Sequence, residues 1–187
     1  MIMTNRRSFI TGIKSSTLSS KEKKFLQKYK PWGVILFSRN IKSIKQTRLL
    51  TNQIKKIFKD KSYPIMIDQE GGRVNRLKKI FNTDSLTGEY FGKLYSKDIK
   101  KFNFYYKLFI KQTSFLLKSI GANINTLPIL DLRSKGSSNI IGDRSFSKNK
   151  KIVSKIGDIC INYFHKNKIA TIIKHIPGHG LAKVDSH

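Results

Sequence analysis

Acidic residues are scarce in this chain: 11 Asp and Glu stand against 38 Lys and Arg in 187 residues, a formal charge of +27. Such an excess points first to nucleic acid, whose phosphates dominate affinity for basic proteins. The distribution argues against that partner. Lysines occur in every segment (Lys21, Lys23, Lys24; Lys55, Lys56; Lys78, Lys79; Lys97, Lys100, Lys101; Lys148, Lys150, Lys151) and are not gathered on one arm. A drift of composition toward Lys, Ile, Asn and Phe accounts for them equally well, so nucleic acid is not expected as a partner. The lone Cys160 excludes an internal disulfide and suits a reducing compartment. No apolar run approaches the ~18 residues of a membrane span, and the opening MIMTNRRSFITGIK has no signal-peptide core. A cytoplasmic protein with no membrane partner is therefore expected. The glycine patterns G-x-G-x-x-G after an early strand and G-x-x-x-x-G-K-[ST] are also missing, which removes support for nucleotide binding.

The apolar residues fall into two patterns. SFITGI (Ser8 to Ile13), WGVILF (Trp32 to Phe37), YPIMID (Tyr63 to Asp68), ANINTLPIL (Ala122 to Leu130) and ATIIKHI (Ala170 to Ile176) read as strands. The last four are rich in β-branched residues and nearly continuous in hydrophobicity, as strands buried on both faces are. Ser19 and Glu22 stand at capping-box spacing before a short helix. Apolar stripes of helical period run from Thr47 to Phe58, Phe102 to Ile120 and Ile152 to Tyr163, with Gly121 placed to stop the second. Strands alternating with helices indicate a parallel α/β architecture, either a doubly wound sheet or part of a (β/α)₈ barrel. Asp68, Asp131 and Lys174-His175 each close a predicted strand, the end at which both architectures place ligands.

Three stretches carry chemistry-bearing residues. DQEGGRVNR (Asp68 to Arg76) is a strand-end carboxylate, a Gly-Gly loop and two arginines, and IGDRSF (Ile141 to Phe146) holds Asp143 beside Arg144. Each is either a solvated turn or part of a polar site. KHIPGHGLAKVDSH (Lys174 to His187) holds three of the four histidines. A metal is disfavoured there, because His175 and His179 straddle Pro177 and Gly178 and cannot share a helical face. Asp185 and His187, two residues apart, suit an acid/base pair in which the carboxylate fixes the imidazole tautomer. A frayed terminus is the competing reading.

Taken together, GVILFSRN, IDQEGGRVNRL, IGDRSF and KHIPGHGLAKVDSH, in this order and spacing, resemble the bacterial cytoplasmic β-N-acetylglucosaminidases of glycoside hydrolase family 3. The match runs from about Ser8 to His187. The resemblance implies a retaining glycosidase on a (β/α)₈ TIM barrel, incomplete here with about the first five strands present, residues 1–187 forming one partial catalytic domain. It implies a substrate of N-acetylglucosamine-containing muropeptide fragments in peptidoglycan recycling, with no cofactor and no metal. It assigns sugar binding to Asp68, Arg76, Arg144, Lys174 and His175 and proton transfer to His187 with Asp185 as partner. Glu70 and His179 it leaves as supports of their loops. Two departures accompany it. FITGI lacks the aspartate often found at the end of the first strand, and the family's nucleophilic aspartate lies downstream of His187. These 187 residues alone are thus expected to be inactive, and the alternative reading is a catalytically dead carbohydrate-binding fragment or remnant.

Overall fold

The computed structural model of the protein describes residues 5–134, 139–180 and 182. Five strands, β1 (Arg7–Gly12), β2 (Pro31–Leu36), β3 (Ile65–Ile67), β4 (Ile124–Asn125) and β5 (Ala170–Thr171), form one sheet in the order β1-β2-β3-β4-β5, every neighbour parallel. This order separates the two candidate architectures. A doubly wound sheet reverses direction at an inner strand, whereas a barrel lays its strands down consecutively. The protein has the consecutive order of an incomplete (β/α)₈ barrel. Register aligns Ile35, Met66, Ile124 and Ala170 in one row and Leu36, Ile67, Asn125 and Thr171 in the next.

The connections are α1 (Ser20–Tyr29), α2 (Ile44–Ile57), α3 (Gly88–Lys97), α4 (Ile99–Ile120) and α5 (Lys150–Lys166). The expected capping box starts α1: Ser19 Oγ accepts from the Glu22 N–H at 3.2 Å and Glu22 Oε2 accepts from the Ser19 N–H at 2.9 Å. Gly121 ends α4 with φ of 84°, as its place after the apolar stripe indicates. Val34, Leu36, Ile65 and Ile67 meet Leu50, Ile54, Phe102, Tyr106, Ile110, Ile156 and Phe164 in one core between sheet and helices. Cys160 belongs to that core; burial pushes its thiol up to about 12, so it stays protonated and inert.

Two features differ from the sequence reading. β1 and β2 keep the expected length one residue earlier, but β3, β4 and β5 are shorter, partly because Pro64 and Pro128 offer the ladder no N–H; parallel pairing resumes beyond β4 only as a bridge between Ile129 and Lys174. The β3–β4 connection also contains an additional helix, α3. Its sequence GEYFGKLYSK is short and carries two glycines, which hides it from periodicity. Those glycines face the backbone of the 144–146 segment: a Cβ on Gly88 would lie 2.1 Å from the Arg144 carbonyl oxygen, and one on Gly92 1.6 Å from that of Phe146. The helix thus seats the segment that carries Arg144.

Gly92→Ala is accordingly expected to cost about 2–3 kcal/mol, because backbone on both sides leaves no flexible side chain to give way. Urea unfolding measures it, and an unchanged midpoint would show that α3 is not seated on that segment.

Candidate functional site

The site is built on buried amides beneath the strand ends. Asn125 and Gln69 exchange bonds, the Gln69 N–H donating to Asn125 Oδ1 at 3.1 Å and Asn125 Nδ2 to the Gln69 carbonyl at 3.0 Å. The Gln69 side chain then donates to Asn75 Oδ1 and accepts from the Leu77 N–H. Buried amides must be paired, so these bonds fix the loop after β3. Gly71 and Gly72 turn it at φ of 91° and 54°, and a Cβ on Gly71 would lie 2.3 Å from the Leu86 carbonyl oxygen. Asp68 and Glu70 are thereby held on either side of Gln69.

Lys174, from the end of β5, lies between them. Its ammonium donates to Asp68 Oδ1 and lies 2.5 Å from Glu70 Oε1 and 3.0 Å from Thr126 Oγ1. Asp68 also accepts from Arg76 Nη2 at 2.9 Å and from Thr126 Oγ1 at 2.5 Å. Glu70, its side chain 4% exposed, receives Arg144 as a two-pronged fork, Nε and Nη2 each at 2.8 Å. Arg144 Nη2 lies 3.4 Å from His175 Nε2, while His175 Nδ1 is 2.6 Å from Asp131 Oδ2. The pattern fits one tautomer, with Nδ1–H donating to the carboxylate and Nε2 accepting from the guanidinium.

Asp131 is the fully buried anchor of this region. It also accepts from the backbone N–H groups of His175 at 3.1 Å, His179 at 2.5 Å and Gly180 at 3.2 Å. Burial would raise its carboxyl, but the His175 ring and the N–H groups of His179 and His175 outweigh that and hold it at about 2. Asp68 behaves alike: burial works against its charge, and Lys174, then Thr126 and Arg76, hold it at about 2. Burial works against the Arg144 charge as well, but Glu70 holds its proton more firmly than usual.

Of the residues singled out in the sequence, Asp68, Arg76, Arg144, Lys174 and His175 thus converge, and Glu70 lies at the centre of their ion pairs. The His179 ring packs edge-on to His175, centroids 5.9 Å apart. Asp143 turns away to Arg73 at 3.2 Å. Asp185 and His187 lie outside the described residues. Sequence reasoning gave Asp131 no partner. Its strand-end position was a signal, but its partners lie 44 to 49 residues downstream. Among the described residues no group of three or more His, Cys, Asp or Glu side chains is arranged to hold a metal.

Comparison with known proteins shows the family and the fold. The Glycosyl hydrolase family 3 N terminal domain matches residues 8–187. The chain belongs to glycosyl hydrolase family 3. Among curated relatives, the beta-hexosaminidase of Hydrogenovibrio crunogenus is 35% identical over 182 residues, 95% of this chain and 49% of that protein. Native NagZ from Neisseria gonorrhoeae superposes with a TM-score of 0.86 at 29% identity, covering 97% of this chain and 53% of NagZ. The same enzyme in complex with N-trifluoroacetyl-D-glucosamine gives 0.87, also at 29% identity, over 97% of this chain and 53% of that one. The family 3 chain therefore spans about half the length of the curated relatives it matches.

The depressed carboxyls give a pH prediction. Both Asp68 and Asp131 titrate below the ordinary unfolded value near ~4, so their stabilisation, about 2 kcal/mol each, is complete above about pH 5 and is lost as pH falls from ~4 through about 2. Asp131→Asn should lower stability at neutral pH by about 2 kcal/mol and shrink the acid-side decline by about the same amount. Urea unfolding across that range is the check; an acid decline of undiminished size would contradict it.

Proposed function

We propose that this family 3 protein is a β-N-acetylhexosaminidase that releases terminal β-linked N-acetylglucosamine from muropeptide fragments during peptidoglycan recycling in the cytoplasm. The observation that carries the reading is the fixed ring of ion pairs at the strand ends, in which Arg76 and His175 keep 28% and 34% of their side chains accessible. The family match, the beta-hexosaminidase relatives and the glucosamine derivative in the NagZ complex point the same way.

Each role follows from the donor set. A pyranose presents hydroxyls that donate and accept, so Asp68 accepts from the sugar while Arg76, Arg144 and Lys174 donate to it. Because carboxylates already hold these cations in place, substrate binding need not reorder them. His175, its tautomer set by Asp131, offers Nε2 on the same side as Arg144. Retaining hydrolysis further needs a group that protonates the departing oxygen and later deprotonates water. His187, supported by Asp185, is assigned that role, since an imidazole pKa near ~6.5 serves both steps at neutral pH.

The nucleophile is the remaining part. Asp68, Glu70 and Asp131 are each held by cations or backbone N–H groups, so none is free to attack an anomeric carbon. We assign the attack to a carboxylate elsewhere in a protein of the relatives' length. The same commitment favours a second reading for these 187 residues by themselves: sugar binding without turnover.

Hydrolysis of aryl β-N-acetylglucosaminides against aryl β-glucosides tests the first reading in a protein of family length. The N-acetylglucosaminide should be strongly preferred, and equal turnover would overturn the assignment. In that protein His187→Ala should slow cleavage of poor leaving groups about 10²–10⁴-fold and of good ones far less, because acid assistance matters only where the departing oxygen is basic. The 187 residues alone should bind N-acetylglucosamine without hydrolysing its glycosides.

A further inference from the structure

Helix α4 buries one face in the core, yet its opposite face is apolar too. Phe104, Leu108 and Phe115 are 66%, 54% and 60% exposed, and at spacings of four and seven they form one ridge directed away from the sheet. Tyr105, 47% exposed, continues it into a groove of about 320 Å³ shared with Phe81, Leu86 and Tyr90. A contiguous apolar ridge of this kind marks an interaction surface, unlike scattered single residues.

The charges beside the ridge are of one sign. Between Ile99 and Ile120 the helix carries Lys100, Lys101, Lys107, Lys111 and Lys118, all exposed, and no acidic residue. Among the described residues only Lys101 of these five has an ion-pair partner, Asp98 at 3.7 Å. By helical position Lys100, Lys107, Lys111 and Lys118 form a row along one flank of Phe104, Leu108 and Phe115. An apolar ridge with a lysine row beside it demands an occupant that is apolar within and anionic at its surface.

We infer that the outer face of α4 lies against an anionic phospholipid bilayer, with Phe104, Leu108 and Phe115 among the upper acyl chains and the lysine row at the headgroups. Charge complementarity selects this occupant over a second copy of the chain, which would set lysine row against lysine row within a molecule already at +27. A duplex nucleic acid would satisfy the lysines and leave the ridge in water. The sequence, lacking an apolar run of membrane-spanning length, gives no expectation of a membrane partner, and among the described residues no helix is long and apolar enough to cross a membrane; neither bears on a helix that lies in the interface. The strand-end site is on other elements and stays clear of this face.

Co-sedimentation of the full chain with vesicles of phosphatidylcholine alone, and of phosphatidylcholine mixed with phosphatidylglycerol, tests the inference. Binding to the mixed vesicles only is expected, weakening as salt rises. The combined change Phe104→Ser, Leu108→Ser and Phe115→Ser should weaken it at least about tenfold, because apolar burial is lost. Lys100→Gln, Lys107→Gln, Lys111→Gln and Lys118→Gln together should weaken it similarly. The equal charge loss Lys21→Gln, Lys23→Gln, Lys24→Gln and Lys28→Gln on α1 should matter little. All substituted side chains are exposed, and thermal melting confirms that the variants fold. Equal losses from both lysine sets, undiminished binding by the serine variant, or capture of single-stranded RNA in place of vesicles would each overturn the proposal.

Discussion

The ammonium of Lys174, brought in from beyond β5, lies between two carboxylates, Asp68 and Glu70, that come from the end of β3 two strands away. Taking either carboxylate out of water costs several kcal/mol unless a cation and further hydrogen bonds compensate. Lys174 compensates both, with Arg76 completing Asp68 and Arg144 completing Glu70. The consecutive parallel order makes the bridge possible, because it brings the C-terminal ends of β3, β4 and β5 to one side. Much of the remaining structure keeps that bridge in register: the Gln69–Asn125 amide pair beneath it, α3 against the segment that delivers Arg144, and Asp131 gathering three backbone N–H groups of the loop after Lys174.

The sequence disclosed the parts of this arrangement that depend on local chemistry. Ser19 with Glu22, Gly121 and the long apolar stripes mark α1, α2, α4 and α5 because capping and helical period leave a signature within a few residues. Asp68, Lys174 and His175 were legible as polar residues closing apolar strands. Four things were not. The glycines that hide α3 serve a close approach to backbone more than 50 residues away. Apolar runs overstated the length of β3, β4 and β5, since hydrophobicity continues past the point where the ladder ends. The Asp131–His175 bond depends on two loops meeting, which neither segment announces. Glu70 belongs with these: inside its motif it reads as loop support, yet it sits between Arg144 and Lys174.

The same separation of scales appears in the charge. A net +27 spread over every segment says little about a partner, and composition alone accounts for most of it. Within the site cations and carboxylates balance closely, as burial requires. On α4 they do not, and there the imbalance coincides with an exposed apolar ridge. It is the coincidence on one face that carries information.

The most direct test of the bridge is a double-mutant cycle on Asp68→Asn and Lys174→Met, reading unfolding free energy and N-acetylglucosamine affinity together. If the two side chains stabilise one another, Lys174→Met alone leaves Asp68 and Glu70 with one cation each, Arg76 and Arg144, where each had two, and the double variant should regain part of that loss. A coupling of at least about 1 kcal/mol in stability is expected, with sugar affinity falling in all three variants. Additive stability changes with unaltered affinity would contradict both the bridge and the site built on it.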